Sequence, residues 1–190
     1  EYYIYGELIF EGEYLNGVRN GKGKEYNSKR KLIFEGEYIN GKKWNGILYD
    51  LFNGDNYELK NGKGYIREYN FYSDLKYEGE YLNGLRNGKG KEYKWNGALI
   101  FEGEYLNGLR NGKGKEYDYD GLIFEGEYLY GHKIKGKEYL NGKLEYEGEF
   151  LFDKKYHGKG YDKKNGNILY ELNNGNGKVK EYYSWNCKPK

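Results

Sequence analysis

Apolar and polar residues alternate along most of this chain with a period of two. In residues 101–117, FEGEYLNGLRNGKGKEY, Phe101, Gly103 and Tyr105 fall on one side, and Glu102, Glu104 and Leu106 on the other. That period belongs to a β-strand, whose successive side chains point to opposite faces. Asn107-Gly108 follows as a hairpin-turn signal, and the alternating stretch ending in Lys113-Gly114-Lys115-Glu116-Tyr117 predicts the returning strand. A Gly between two aromatics leaves a gap on its face, and a neighbouring ring can cover it. The unit predicted is therefore a β-hairpin, marginal alone in water and stable only between neighbours.

The neighbours are copies of it. Residues 77–93 read YEGEYLNGLRNGKGKEY and residues 10–26 read FEGEYLNGVRNGKGKEY. Further units begin near Phe34, Tyr57, Phe124, Tyr146 and Tyr170, so the starts are 10, 34, 57, 77, 101, 124, 146 and 170. Repetition at this period makes the chain a stacked array. Two stretches form a second subtype. Residues 44–69 and 156–182 share Asn-Gly, then Tyr-Glu-Leu, then Asn-Gly-x-Gly, then Glu-Tyr. The first of these pairs is expected to bend or re-twist the sheet, and the second to cap it. The expected organisation is one continuous array over 1–183 with no linker, then a tail, 184–190, that loses the pattern.

The aromatic-Glu-Gly-Glu-aromatic motif stands at residues 10–14, 34–38, 77–81, 101–105, 124–128 and 146–150, with Asn-Gly-Lys-Gly following in the fullest copies. It resembles the MORN repeat family. The resemblance implies an all-β fold: an elongated, twisted, single-layer antiparallel sheet of about eight stacked hairpins, with a groove along one side. The run at 141–149, NGKLEYEGE, also resembles the bacterial variant of the repeat found in antitoxins.

Composition narrows the picture. Of 190 residues, 37% are hydrophobic and 19% are aromatic, so any core is thin and made of rings. The 32 basic and 30 acidic residues nearly cancel, which argues against nucleic acid as a partner. One cysteine, Cys187, excludes an intrachain disulfide. No apolar run reaches 18 residues, so no spanning helix is expected. The chain opens at Glu1, already beside a repeat, and reads as a fragment of a longer protein.

Each chemical motif has a plainer explanation. The pair Glu102 and Glu104 could suit acid–base work. It recurs in unit after unit and is faced by lysines, as a structural pair would be. Gly-Lys-Gly-Lys lacks the spacing and the helix of a phosphate loop. His132 and His157 stand far apart with no cysteine nearby, so neither a metal nor a cofactor is expected. The reading is a non-enzymatic scaffold that binds a protein segment along an aromatic groove lined by Tyr14, Tyr38, Tyr81, Tyr105, Tyr128 and Phe150. Tyrosine suits that use because it offers rigid area and a hydrogen-bonding tip.

Three rivals stand beside it. Stacked basic turns (Arg19, Lys22 and Lys24; Arg86, Lys89 and Lys91; Arg110, Lys113 and Lys115) could attach the chain to an anionic, phosphoinositide-bearing membrane, at about 1 kcal/mol per cation. The bacterial resemblance implies an antitoxin or immunity-type inhibitor. The chain could also be the targeting part of a larger enzyme. The expected location is cytoplasmic or peripheral at a membrane, and open sheet edges invite pairing with a second copy.

Overall fold

The computed structural model describes residues 1–4 and 6–179. Those residues form strands, turns and loops, with no helix among them. The strands are β1 (Phe10–Leu15), β2 (Val18–Tyr26), β3 (Leu32–Ile39), β4 (Lys42–Tyr49), β5 (Asn56–Leu59), β6 (Gly64–Tyr69), β7 (Leu75–Leu82), β8 (Leu85–Tyr93), β9 (Leu99–Leu106), β10 (Leu109–Asp118), β11 (Gly121–Leu129), β12 (His132–Leu140), β13 (Lys143–Leu151), β14 (Lys154–Tyr161) and β15 (Ile168–Leu172). The expected second strand of the last unit, the tail, Trp185, Cys187 and Pro189 lie outside the described residues.

Strands pair in sequence order and antiparallel, in a five-stranded sheet, β1 to β5, and a ten-stranded sheet, β6 to β15. Two compact units result: Glu1–Leu99 with Tyr105–Gly108, and Ile100–Glu104 with Leu109–Lys190. The sequence reading has one continuous sheet, and the strands divide into two instead. The division falls in the shortened unit at Tyr57. There β5 and β6 share one bridge, Lys60 to Lys63, and then part. The second subtype repeats this at Asn173 and Asn176. Leu59 and Leu172 are buried at the equivalent corners. The Gly62 amide donates to the Trp44 carbonyl at 2.7 Å, as the Gly175 amide does to that of Tyr156. What reads as a bend is the point where the first sheet ends.

Within the first unit, Asp50 and Arg67 tie the two sheets together. The Asp50 carboxylate is fully enclosed and accepts from the Arg67 guanidinium at 2.7 Å and from the Phe52 amide at 2.8 Å. Burial pushes its pKa up, and the amides and Arg67 outweigh that, so it lies below the usual value. Asn27 adds a bond to Ser73 at 2.8 Å.

The core is a line of rings lying on a line of glycines. Facing strands bring Gly12 against Gly23, Gly23 against Gly36 and Gly36 against Gly46. In the second unit Gly114, Gly126, Gly136, Gly148 and Gly158 do the same. A Cβ at Gly126 would sit 2.2 Å from the Lys135 carbonyl oxygen and 2.7 Å from the Phe124 ring. Only glycine lets the backbones and the covering ring come this close. The rings meet edge to face, Phe34 on Tyr38 at 5.2 Å and Phe124 on Phe150 at 5.5 Å, the favoured geometry for aromatic pairs.

Candidate functional site

The two faces of each hairpin carry different chemistry. On the ring face, the residue two after the turn is basic in six hairpins, and it lies over the ring that opens the unit. Arg19 stands 4.1 Å from the Phe10 centroid, Arg86 4.1 Å from Tyr77 and Arg110 4.0 Å from Phe101. Lys43, Lys133 and Lys155 take the same place over Phe34, Phe124 and Tyr146. Half-buried glutamates then pair with these cations. Arg86 grips Glu68 with two nitrogens, at 2.9 and 3.0 Å, and Glu92 with a third, at 2.8 Å. Tyr81 donates to the same Glu68, and Tyr38 to Glu25. Burial raises the pKa of Glu25 and of Glu68. Lys43 and Arg19 for the first, and Arg86 for the second, more than reverse it, so both are lowered.

This face accounts for the aromatic candidates. Tyr38, Tyr105, Tyr128 and Phe150 are buried, Tyr81 is partly buried, and Tyr14 is 45% exposed. The buried four pack the sheet rather than line an open groove, because each ring is needed to cover glycine and backbone. Arg19, Arg86 and Arg110, assigned above to a membrane surface, are likewise occupied by rings and carboxylates. Sequence reasoning missed this role. The signal was present in the basic residue that every complete unit places two positions after its turn.

The opposite face is polar and open. On the first sheet, Glu11 faces Lys24, Lys24 faces Glu35, and Lys22 faces Glu37. These side chains wall a groove of about 650 Å³ floored by Gly12, Gly23 and Gly36. At one rim stand exposed Leu15, Val18 and Ile39. At the other, Tyr26 pairs with Leu32 and gives its hydroxyl proton to Glu11. That bond, with some burial, pushes the Tyr26 pKa up to about 12.

The second unit repeats the pattern by itself. Lys115, Glu125, Lys137, Glu147, Lys159 and Glu171 alternate across its strands, as do Lys113, Glu127, Lys135 and Glu149. Leu109, Leu129 and Leu151 stay exposed at its turn edge. In the first unit, Lys89 and Lys91 are exposed on β8, with Lys91 facing Glu78. The lysines proposed for lipid thus alternate with carboxylates instead of forming a cationic row.

The paired carboxylates have structural partners. Glu102 accepts from Tyr117 at 2.6 Å, and Glu104 accepts from the Lys113 amide at 2.8 Å. His132 meets Asp153 at 2.7 Å, and His157 lies opposite Glu149. Among the described residues no three His, Cys, Asp or Glu side chains gather as a metal site would require. No helix among them is long and apolar enough to cross a membrane.

The turns form a ladder of their own. Along one edge, turn Gly amides donate to a carbonyl one hairpin back, as Gly41 does to Arg19 and Gly108 to Arg86, both at 2.8 Å. Beside it, the side-chain oxygen of an Asn in the preceding hairpin accepts the next turn's first amide: Asn20 from Asn40, Asn45 from Asn61, and Asn111 from Tyr130. This explains why Asn follows the basic residue at Arg19, Arg86 and Arg110.

The sequence profile of the MORN repeat matches residues 10–29, 77–97 and 101–123. These are MORN repeats. The matched segments are the β1–β2 and β7–β8 hairpins with the residues after them, and the β9–β10 hairpin with the start of β11. The same ring-on-glycine construction continues through the β3–β4, β11–β12 and β13–β14 hairpins between and beyond them. MORN repeats are modules of protein or membrane interaction. No curated protein matches the chain.

Proposed function

We propose that this MORN-repeat chain is a non-enzymatic scaffold that holds a segment of a partner protein against its polar face. The observation that supports this is the open groove of the first sheet, with exposed aliphatic residues on one rim and tyrosine on the other. Exposed apolar rows of this kind mark interaction surfaces. The groove lining holds three carboxylates, Glu11, Glu35 and Glu37, against two ammonium groups, Lys22 and Lys24. That balance favours a basic, apolar protein segment over an anionic lipid headgroup.

Spacing supports a helix as the bound form. Successive hairpins repeat every two strands, about 9.6 Å. Seven residues of α-helix rise about 10.5 Å. A helix lying across the strands can therefore place one apolar side chain on each hairpin's rim.

The test is capture of partners by the intact chain beside the variants Leu15→Ser with Ile39→Ser, and Glu35→Lys. A partner retained by the parent chain, lost from both variants and released by salt fits the reading. Circular dichroism confirms that the variants keep their sheets. Salt-sensitive binding to phosphoinositide vesicles, unchanged in both variants and with no protein captured, would overturn it in favour of membrane attachment.

A further inference from the structure

One loop departs from the charge balance of its surroundings. Lys29, Arg30 and Lys31 follow one another between β2 and β3, and all three are exposed. Other cations of the first unit meet carboxylates or rings: Lys24 meets Glu35 at 3.1 Å, Lys43 meets Glu25 at 2.7 Å, and Arg19 lies on Phe10. Among the described residues, no carboxylate comes within 4.0 Å of the side-chain nitrogens of Lys29, Arg30 or Lys31.

The loop is firmly held. The Asn27 amide donates to the Lys31 carbonyl, and the Arg30 amide to the Asn27 carbonyl, both at 3.0 Å. The buried Asn27 side chain accepts from the Lys29 and Lys31 amides, at 3.0 and 2.8 Å. It also donates to the Ser73 hydroxyl at 2.8 Å, and the Ser28 amide donates to the Phe71 carbonyl at 2.9 Å. The loop is thereby docked on the one between β6 and β7. There Tyr3 stacks on Phe71 at 4.2 Å, and Tyr72 is 64% exposed. Three cations and an aromatic cluster are fixed beside one another.

Arg30 stands there under strain. The loops at 27–31, 70–74 and 94–98 share one hydrogen-bond pattern, and their fourth residues, Arg30, Ser73 and Gly97, have φ of 58°, 80° and 79°. Glycine takes that conformation freely and arginine does not. Ser73 uses its hydroxyl to hold Asn27. The Arg30 side chain holds nothing among the described residues. A strained residue with no internal role points to an external one.

We infer that the Lys29–Lys31 loop and the adjoining Tyr72 bind a short acidic protein segment that carries an aromatic residue. Its carboxylates meet the three cations, and its ring packs on the Phe71 and Tyr72 cluster. A membrane or a nucleic acid presents anionic charge over a broad area. Here the positive charge is confined to one loop, with Asp74 in the loop docked against it and Lys alternating with Glu across β1 to β3. The surface lies at the Tyr26 end of β2, whereas the apolar groove rim lies at the Val18 end. It also selects the opposite charge, so it is separate from the groove.

The experiment titrates the nitrogen-15-labelled chain with the end-blocked peptide Asp-Glu-Phe-Glu-Asp and follows the amide shifts. Saturable shifts confined to residues 27–31 and 70–74 are expected, weakened by salt and by alanine in place of the peptide's phenylalanine. Arg30→Gly removes one cation and relaxes the turn. It should raise the urea midpoint and yet weaken the peptide about threefold, the weight of one exposed ion pair. Lys29→Gln with Lys31→Gln should weaken it further. Absence of saturable shifts, shifts centred on the groove, or an Arg30→Gly chain that binds as tightly as its parent would overturn the inference. So would phosphatidylserine vesicles or an oligothymidylate that bind through this loop more tightly than the peptide.

Discussion

Replacing Gly126 with alanine tests the construction on which the whole fold depends. Gly126 lies in the middle of β11 with an extended backbone, so alanine brings no conformational penalty there. The cost is steric. The new methyl would lie 2.2 Å from the Lys135 carbonyl oxygen, 2.7 Å from the Gly136 Cα and 2.7 Å from the Phe124 ring. Two of these three atoms are backbone, so relief requires β12 to move away, and the Gly126–Gly136 pairing loosens with it. Overpacking of this severity costs about 3 kcal/mol. Alanine returns about 0.5 kcal/mol by restricting the unfolded chain. The net loss is about 2.5 kcal/mol, a fall in Tm of about 5–10 °C for a chain of this size. Gly131→Ala is the control. Its φ is 91° with open space around it, so only the left-handed backbone penalty of about 1 kcal/mol applies. Urea midpoints and melting curves followed by circular dichroism measure both. Equal effects of the two substitutions, or a Gly126→Ala chain as stable as its parent, would refute the close-packed glycine line.

Phe152 is an exposed aromatic held at φ 49° in the β13–β14 turn, a conformation asparagine accepts far more readily. Phe152→Asn should raise stability by about 0.5–1 kcal/mol, read as a higher urea midpoint. Stability should also fall in acid. Glu25, Glu68 and Asp50 have lowered pKa values when folded, so their contribution is complete above the ordinary carboxylate values of 4.5 and 3.8 and is lost as pH drops through the folded ones. The urea midpoint should therefore be level above about pH 5 and decline below it, less steeply in Glu68→Gln. Tyr117 has its pKa pushed up to about 12 by burial and by the bond to Glu102. Carbon-13 NMR of tyrosine should show Glu102→Gln moving it part of the way back toward 10.0.

Much of this protein is legible without coordinates. Alternation gives the strands, the Asn-Gly pairs give the hairpins, and near-identity of residues 10–26, 77–93 and 101–117 gives the stacking. These are local signals, because strand period and turn chemistry act between residues close in sequence. The likeness of residues 44–69 to 156–182 even marks where regularity fails. Tertiary structure alone decided the rest. Tyr105 and Tyr128 read equally as groove lining and as core, since a single-layer sheet leaves both faces uncovered on paper. Folded, both are buried, with Tyr77 edge to face on Tyr105, and Phe101 and Phe124 on Tyr128. Arg86 reads as a free surface cation in a basic turn, yet it lies between the Tyr77 ring, on the facing strand, and Glu68, one hairpin back. The open face is the one made of Glu and Lys. Which side of a strand meets water is a property of its neighbours across the sheet. A period of two names the two faces but cannot say which one the rings will close.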